Sequence, residues 1–143
     1  MTKPLKLRAE CAEDLSVISA ALQDAITRIA DIHYAPSAHA LTLRMTRFRH
    51  EDEDASERVL TGLRADSILS LQSSGIDKAD PEAMAVLLSI DFTAGDDAPG
   101  GTLDFTFAGG GRLRAAAECI DLTLADVSEP RKTDKQPLHP LGE

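Results

Sequence analysis

The 143-residue sequence predicts an α+β fold, in which one N-terminal helix packs on a curved, mainly antiparallel sheet or barrel of about six or seven strands. Apolar and polar residues alternate in several short segments, which is the period of half-buried antiparallel strands. Residues 13–25 show the three-and-four spacing of a helix instead. The strand-like segments also change the parity of their apolar residues, and such changes indicate bulges or bends in a curved sheet.

The clearest element is a hairpin over residues 101–127 with glycines at positions 109–111. These glycines can supply the positive φ angles of a tight turn. One face of the first arm carries Leu103, Phe105 and Phe107. In the return arm the apolar parity changes between Cys119 and Ile120, which predicts a bulge or a strand that passes from one packing layer to another. A helix over Leu113–Val127 is the alternative, because a spacing of three and four also fits there.

The N-terminal part predicts a short strand at Leu5–Ala9 followed by the single helix. Glu13 and Asp14 place negative charge in its first turn, where it stabilises the helix dipole. The apolar stripe of this helix comprises Leu15, Ile18, Leu22 and Ala25, with Val17 and Ala21 widening it. We expect this stripe to lie across the sheet.

Four further segments predict strands. The first runs from Ile26 to a turn at Pro36-Ser37, and the second begins at Leu41. The third, Arg58–Gln72, is either one bent strand or two strands that share a kink. In the fourth, one face is expected to carry Met84, Val86, Leu88, Ile90 and Phe92.

We expect residues 1–127 to form a single α+β domain and residues 128–143 to form a proline-containing C-terminal tail, because periodicity ends after Val127. Among known architectures, a pleckstrin-homology-like barrel with a helix against it is the leading analogy. Such an analogy carries no information about activity.

Charge and composition exclude several classes of protein. The formal net charge of −9 opposes binding to nucleic acid and to anionic membranes. Cys11 and Cys119 lack the spacing of a zinc site or a disulfide framework, and Cys119 is expected to be a small buried side chain. The N-terminus lacks the apolar region of a signal peptide, so the cytoplasm is the expected location.

No motif of catalysis or cofactor binding accompanies these patterns. The run His50–Asp54 lacks the spaced ligands of a calcium loop, and a solvated loop is expected there rather than a metal site. The glycines at 109–111 lack the residues of a phosphate-binding loop. We therefore predict no catalytic residue, no cofactor and no metal, and an enzyme is the least favoured class.

Arg44, Arg47 and Arg49 form a basic group in an acidic chain. Arg47 and Arg49 share the parity of the apolar residues before them, and we expect the end of this strand to leave the core. At a rim, the guanidinium groups would bind a carboxylate or phosphate of a ligand or partner. Internal ion pairing with Glu51–Asp54 directly downstream is favoured over this binding role.

Four segments occur in a characteristic order: LKLRAECAEDLSVISAALQDAI, LTLRMTRFRHE, FTFAGGGRLRAAAECIDLTLADV and a tail with HPLG. In this order the chain resembles an alphaproteobacterial family of small cytoplasmic proteins known only as a domain of unknown function. The resemblance covers nearly the whole chain and implies a bacterial cytoplasmic protein. It transfers no catalytic residue.

Two functional hypotheses follow. The first is a non-enzymatic protein-interaction module that contacts another protein, or a second copy as a homodimer, through a sheet edge or the rim near Arg47. The second is a small protein that binds an anionic metabolite at Arg44, Arg47 and Arg49.

Overall fold

A computed structural model of the chain describes residues 4–49 and 57–127, together with the backbone of residues 131–132. These residues form one α-helix, two short 3-10 turns and ten strands. The elements are β1 (Lys6–Ala9), α1 (Ala12–Ala21), β2 (Ile26–Ala35), a 3-10 turn (Pro36–Ala38), β3 (Ala40–Phe48), β4 (Glu57–Ala65), β5 (Ile68–Ser74), β6 (Met84–Ala94), β7 (Gly101–Phe107), a 3-10 turn (Ala108–Gly110), β8 (Arg112–Ala117), β9 (Leu122–Asp126) and β10 (Arg131–Lys132).

The strands form one antiparallel sheet in the order β1-β9-β4-β3-β2-β6-β7-β8-β5, and β10 pairs with β4 beside this path. The predicted α+β class with an antiparallel sheet is confirmed. The closed form is wrong, because the terminal strands β1 and β5 do not pair with each other in the described chain. Arg131 lies opposite Arg58 and Lys132 opposite Glu57, so part of the expected tail adds to the sheet.

The path has nine strands rather than six or seven because both long segments are broken. One break follows Ala65, where Ser67 adopts a φ of 61°, and the other separates Ala117 from Leu122. β4 pairs with β9 and β5 pairs with β8. The irregularity predicted near Cys119 is present as a break between β8 and β9, and the helical alternative for this arm is wrong.

The two broken segments, β4–β5 and β8–β9, run side by side and form a broken ribbon. This ribbon joins the half of the sheet around β3, β4 and β9 to the half around β6, β7 and β8. At the bend, Asp66 N donates to Asp121 O over 2.9 Å and Glu118 N donates to Ser67 O over 2.9 Å. Cross-strand bonding thus continues through both breaks. The aliphatic core draws on β3, β4 and β9 in the first half and on β6, β7 and β8 in the second.

Helix α1 contacts β1 and β6 and buries Leu15 and Ile18. Leu22 and Ala25, predicted as part of its stripe, follow the helix and are buried as well. Val17 is 54% exposed, so the expected widening at this position is wrong. The Ser19 hydroxyl accepts a hydrogen bond from Ile90 N over 3.0 Å and attaches the helix to β6.

A bulge in β6 overturns the single apolar face predicted there. The register against β7 shifts between Leu87 and Ser89. Leu87 and Ile90 are consequently both buried, whereas Leu88 is 42% and Met84 is 64% exposed. Because one extra residue reverses the parity of a strand, no single alternation describes this segment.

The glycine turn between β7 and β8 uses two of its three glycines as predicted. Gly109 and Gly110 have φ angles of 83° and 96°, whereas Gly111 has a φ of −71°. Space is limited at Gly111 instead, since a Cβ there would lie 3.2 Å from the Ile76 side chain.

Two strand glycines provide a matched test of this packing. A Cβ on Gly101 would clash with the Thr93 carbonyl oxygen and lie 2.6 Å from the Phe92 ring, whereas a Cβ on Gly62 meets nothing within 4 Å. We expect Gly101→Ala to lower the free energy of unfolding by about 1–3 kcal/mol through overpacking. Gly62→Ala should leave it unchanged or raise it by up to about 1 kcal/mol, because the unfolded chain loses freedom. Urea unfolding measures both, and equal effects would contradict the packing described.

Candidate functional site

The three candidate arginines lie on opposite faces of the sheet. Arg47 follows the inward parity of Leu43 and Met45 and is fully buried, and Arg49 is buried beyond it. The expectation that this strand end leaves the core is wrong. Arg44 has the opposite parity and is exposed. The structure thus brings Arg47 and Arg49 to one end of the core and separates Arg44 from them.

Arg47 stays in the core because Asp126 neutralises it there. Nε donates to Oδ1 of Asp126 over 3.0 Å and Nη2 donates to Oδ2 over 2.9 Å, and neither side chain is exposed. Nη1 also donates to the carbonyl of Phe48 over 3.2 Å. A bidentate pair of this geometry satisfies both charges where water cannot reach them.

Asp126 also holds the first strand. Its Oδ2 accepts a hydrogen bond from Leu5 N over 2.7 Å, and Asp126 N donates to the Leu5 carbonyl over 2.9 Å. Next to it, the Thr61 hydroxyl donates to Ala125 O over 3.1 Å. Sequence reasoning missed Asp126, although a signal was present: it shares the parity of Leu122 and Leu124, and its side chain is unexposed.

Arg49 lies beside the start of β4. Its Nε is 3.7 Å from Oε1 of Glu57, and Arg49 N donates to the Glu57 carbonyl over 3.1 Å. Internal ion pairing of the candidate arginines is therefore observed with Asp126 and Glu57. The acidic run Glu51–Asp54, which we expected as partner, lies outside the described residues, as does His50.

The two ends of the sheet differ in chemistry. β1 has four residues and carries Lys6 and Arg8, whereas β5 has seven residues, ILSLQSS, and no charge. At the start of β5, the N–H of Ile68 donates a hydrogen bond over 2.9 Å to the carbonyl oxygen of His39, which directly follows the 3-10 turn Pro36–Ala38. Beyond it, no strand of the described chain pairs with the outer edge of β5, and Leu69 there is 51% exposed.

An open depression lies beside this edge. It is lined by Gln72, Ser73, Ser74, Arg112 and Arg114. Arg114 Nε donates to Oδ1 of Asp104 over 2.9 Å, so the charge of one lining arginine is already balanced. The depression extends the polar outer surface of β5 and β8 without forming an enclosed cavity.

Other reactive side chains do not converge in the described parts of the chain. Cys11 is exposed, and Cys119 is half-buried rather than fully buried as expected. No three His, Cys, Asp or Glu side chains of residues 4–49 and 57–127 are placed to hold a metal ion.

The hydrogen bond and charge of Asp31 raise the pKa of Arg28 at the surface. No helix in these ranges has the length and apolar content to cross a bilayer.

Comparison with known families shows to which family the chain belongs. The family described as Protein of unknown function (DUF2948) matches residues 5–139, and the chain belongs to it. The predicted resemblance to a domain of unknown function is confirmed. No curated protein and no solved structure matches the chain.

The buried pair predicts a large difference between two superficially similar ion pairs. Asp126→Ala should lower the free energy of unfolding by about 3–5 kcal/mol, because Arg47 then remains buried without its carboxylate. Asp66→Ala, which removes the exposed partner of Arg64 at 2.9 Å, should cost about 0–1 kcal/mol. Urea unfolding at neutral pH compares the two.

The double variant Arg47→Met/Asp126→Asn removes both charges and keeps an oxygen that can accept the Leu5 N–H. It should recover part of the stability lost in Asp126→Ala, because no uncompensated charge then remains buried, whereas the buried Asn amide still lacks the partner that Arg47 gave the carboxylate. A double variant no more stable than Asp126→Ala would contradict this account.

Proposed function

We propose that this member of the DUF2948 family is a non-enzymatic, cytoplasmic protein-interaction module that binds a second copy of itself by strand addition at β5. An unpaired strand edge presents a row of N–H and C=O groups that another strand can satisfy. The observation that carries the proposal is the seven-residue uncharged edge of β5 with an exposed leucine.

The contrast with β1 supports the choice of edge. Natural sheets protect their edges with short strands and charged side chains. β1 has both, since it spans four residues and carries Lys6 and Arg8. β5 has neither over residues 70–74, which follow a register shift against β8 between Ile68 and Ser70. Strand addition there therefore places no charged side chains of the two edge strands opposite each other.

The faces of β5 suit antiparallel pairing about a two-fold axis at Leu71. Leu71 lies opposite Ala115 on the inward face, and Gln72 lies opposite Arg114 on the outward face. In this register, Leu71 of one copy lies opposite Leu71 of the other, and the two side chains extend the apolar inner surface of the sheet. Ser70 of each copy meets Gln72 of the other on the polar surface.

The anionic-metabolite alternative has less support. Arg47 is wholly buried with two hydrogen bonds to Asp126, and Arg44 lies on the opposite face of β3. The three guanidinium groups therefore do not present one common surface to a small ligand.

Charge pairs across the two-fold axis test the register. In Ser70→Lys/Gln72→Lys, two lysine pairs would face each other directly, and like charges opposite one another destabilise strand pairing. We expect the dimer dissociation constant to rise at least about tenfold, measured by sedimentation velocity. Ser70→Glu/Gln72→Lys should keep the dimer, because each lysine then meets a glutamate.

Both double variants carry lysine at position 72 beside Arg114, so this local repulsion is the same in each. Thermal unfolding verifies that both are folded. An unmodified protein that is monomeric up to about 100 µM, or a dimer that Ser70→Lys/Gln72→Lys leaves intact, would refute self-association at this edge.

A further inference from the structure

We infer that the outer face of β1, β9, β4 and β3 is a docking surface for an acidic segment of another protein. This basic face comprises Lys6, Arg8, Arg44 and Arg64, with Gly62 and Ala125 between them. It lies on the half of the sheet that does not contain β5, and it goes beyond the proposed self-association.

Strand register places the basic face in rows. Lys6 pairs with Ala125, Ala125 pairs with Gly62, and Gly62 pairs with Arg44. Residues paired in this way lie side by side on one face, about 4.8 Å apart per strand. Lys6 and Arg44 therefore stand at the two ends of a row that spans about 14 Å across four strands.

A second row lies two residues further along the strands. Arg8 pairs with Thr123, Thr123 pairs with Arg64, and Arg64 pairs with Thr42. Thr42 in turn pairs with His33 on β2. The two rows together give a surface of four permanent cations separated by small or hydroxyl side chains.

All charged side chains at the outward positions of these strands are basic, although the chain has a net charge of −9. Outward positions of the four strands carry no acidic residue. They are Lys6, Arg8, Ala40, Thr42, Arg44, Thr46, Phe48, Arg58, Leu60, Gly62, Arg64, Thr123 and Ala125, of which Ala40 and Thr46 are buried. Acidic side chains reach this face from its rim, where Glu10 and Asp121 bind Arg8 and Asp66 binds Arg64, all through exposed pairs.

Two cations of the first row are available to a partner. Lys6 and Arg44 are exposed and form no ion pair with the described residues. The sheet surface between Lys6 and Arg44 is flat, because Gly62 has no side chain and a Cβ there would have open space around it. An extended chain can therefore lie across the strands and place carboxylates at both ends of the row.

Charge complementarity selects an acidic protein segment as the occupant. Carboxylates bind lysine and arginine directly, and arginine binds them in bidentate geometry. Beyond about 8 Å the repulsion from the acidic remainder of the chain is screened at physiological salt. A short segment thus interacts mainly with the basic face.

Nucleic acid fits this surface less well. A polyphosphate would extend past the face and meet the rim carboxylates of Asp66 and Asp121. Single-stranded nucleic acid also needs aromatic side chains for base stacking. Phe48, the aromatic residue on the outward side of these strands, already lies under Arg58, whose Cζ is 5.1 Å from the ring centroid.

A labelled peptide of roughly eight residues with alternating Glu and Ser, long enough to cover the row in extended form, tests the inference. Fluorescence anisotropy measures its binding to the full chain at about 0.05 M and 0.15 M salt. We expect Lys6→Glu/Arg44→Glu to weaken binding about tenfold. Gly62→Leu should weaken peptide binding by a similar factor without a change of charge, because the leucine side chain would occupy the surface between Lys6 and Arg44.

The matched control is Lys78→Glu/Arg112→Glu, which makes the same change in net charge at exposed positions outside the basic face. It should weaken peptide binding less than about twofold. Equal weakening by both double variants, absence of peptide binding at low salt, or tighter binding of an oligothymidylate of equal charge would each overturn the inference.

The outcome is distinguishable from that of the self-association proposal. Ser70→Lys/Gln72→Lys should leave peptide binding unchanged, and Lys6→Glu/Arg44→Glu should leave sedimentation unchanged. Thermal unfolding of each variant verifies that a loss of binding does not reflect a loss of the fold.

Discussion

The ion pair between Arg47 and Asp126 determines how the first half of the sheet is joined. It connects β3 to β9 inside an apolar core, and the same carboxylate accepts the N–H of Leu5 before β1. Each charge would be costly to bury alone, so the two strands are constrained to a register in which the groups meet. Satisfied polar groups of this kind limit the ways in which an otherwise aliphatic core can pack.

The broken ribbon formed by β4–β5 and β8–β9 gives the two halves of the sheet different surfaces. On one side of the bend, β4 and β9 contribute Gly62, Arg64 and Ala125 to the basic face. After the bend, the same chain becomes the uncharged edge strand β5. One continuous supersecondary unit thus supplies a charged face at one end of the molecule and a free strand edge at the other.

Features set by near neighbours were predictable from the sequence, and those set by distant pairing were not. The β7–β8 hairpin is encoded by alternation and glycines within one segment. The β6 bulge was hidden because Leu87 and Leu88 are both apolar, so neither parity stands out. The burial of Arg47 depends on Asp126, 79 positions away. Likewise, Lys6 and Arg44 belong to one face only because β9 and β4 lie between their strands.

The contact between Leu5 and Asp126 has a consequence for chain connectivity. Their main chains are hydrogen-bonded side by side, so the path from the first strand to the ninth returns to its starting point. A chain opened at the surface loop between β6 and β7 and joined by a short peptide at these positions would keep this contact, but would lose the pairing of β10 with β4. The order in which the strands are synthesised is therefore separable from the arrangement in which they pack.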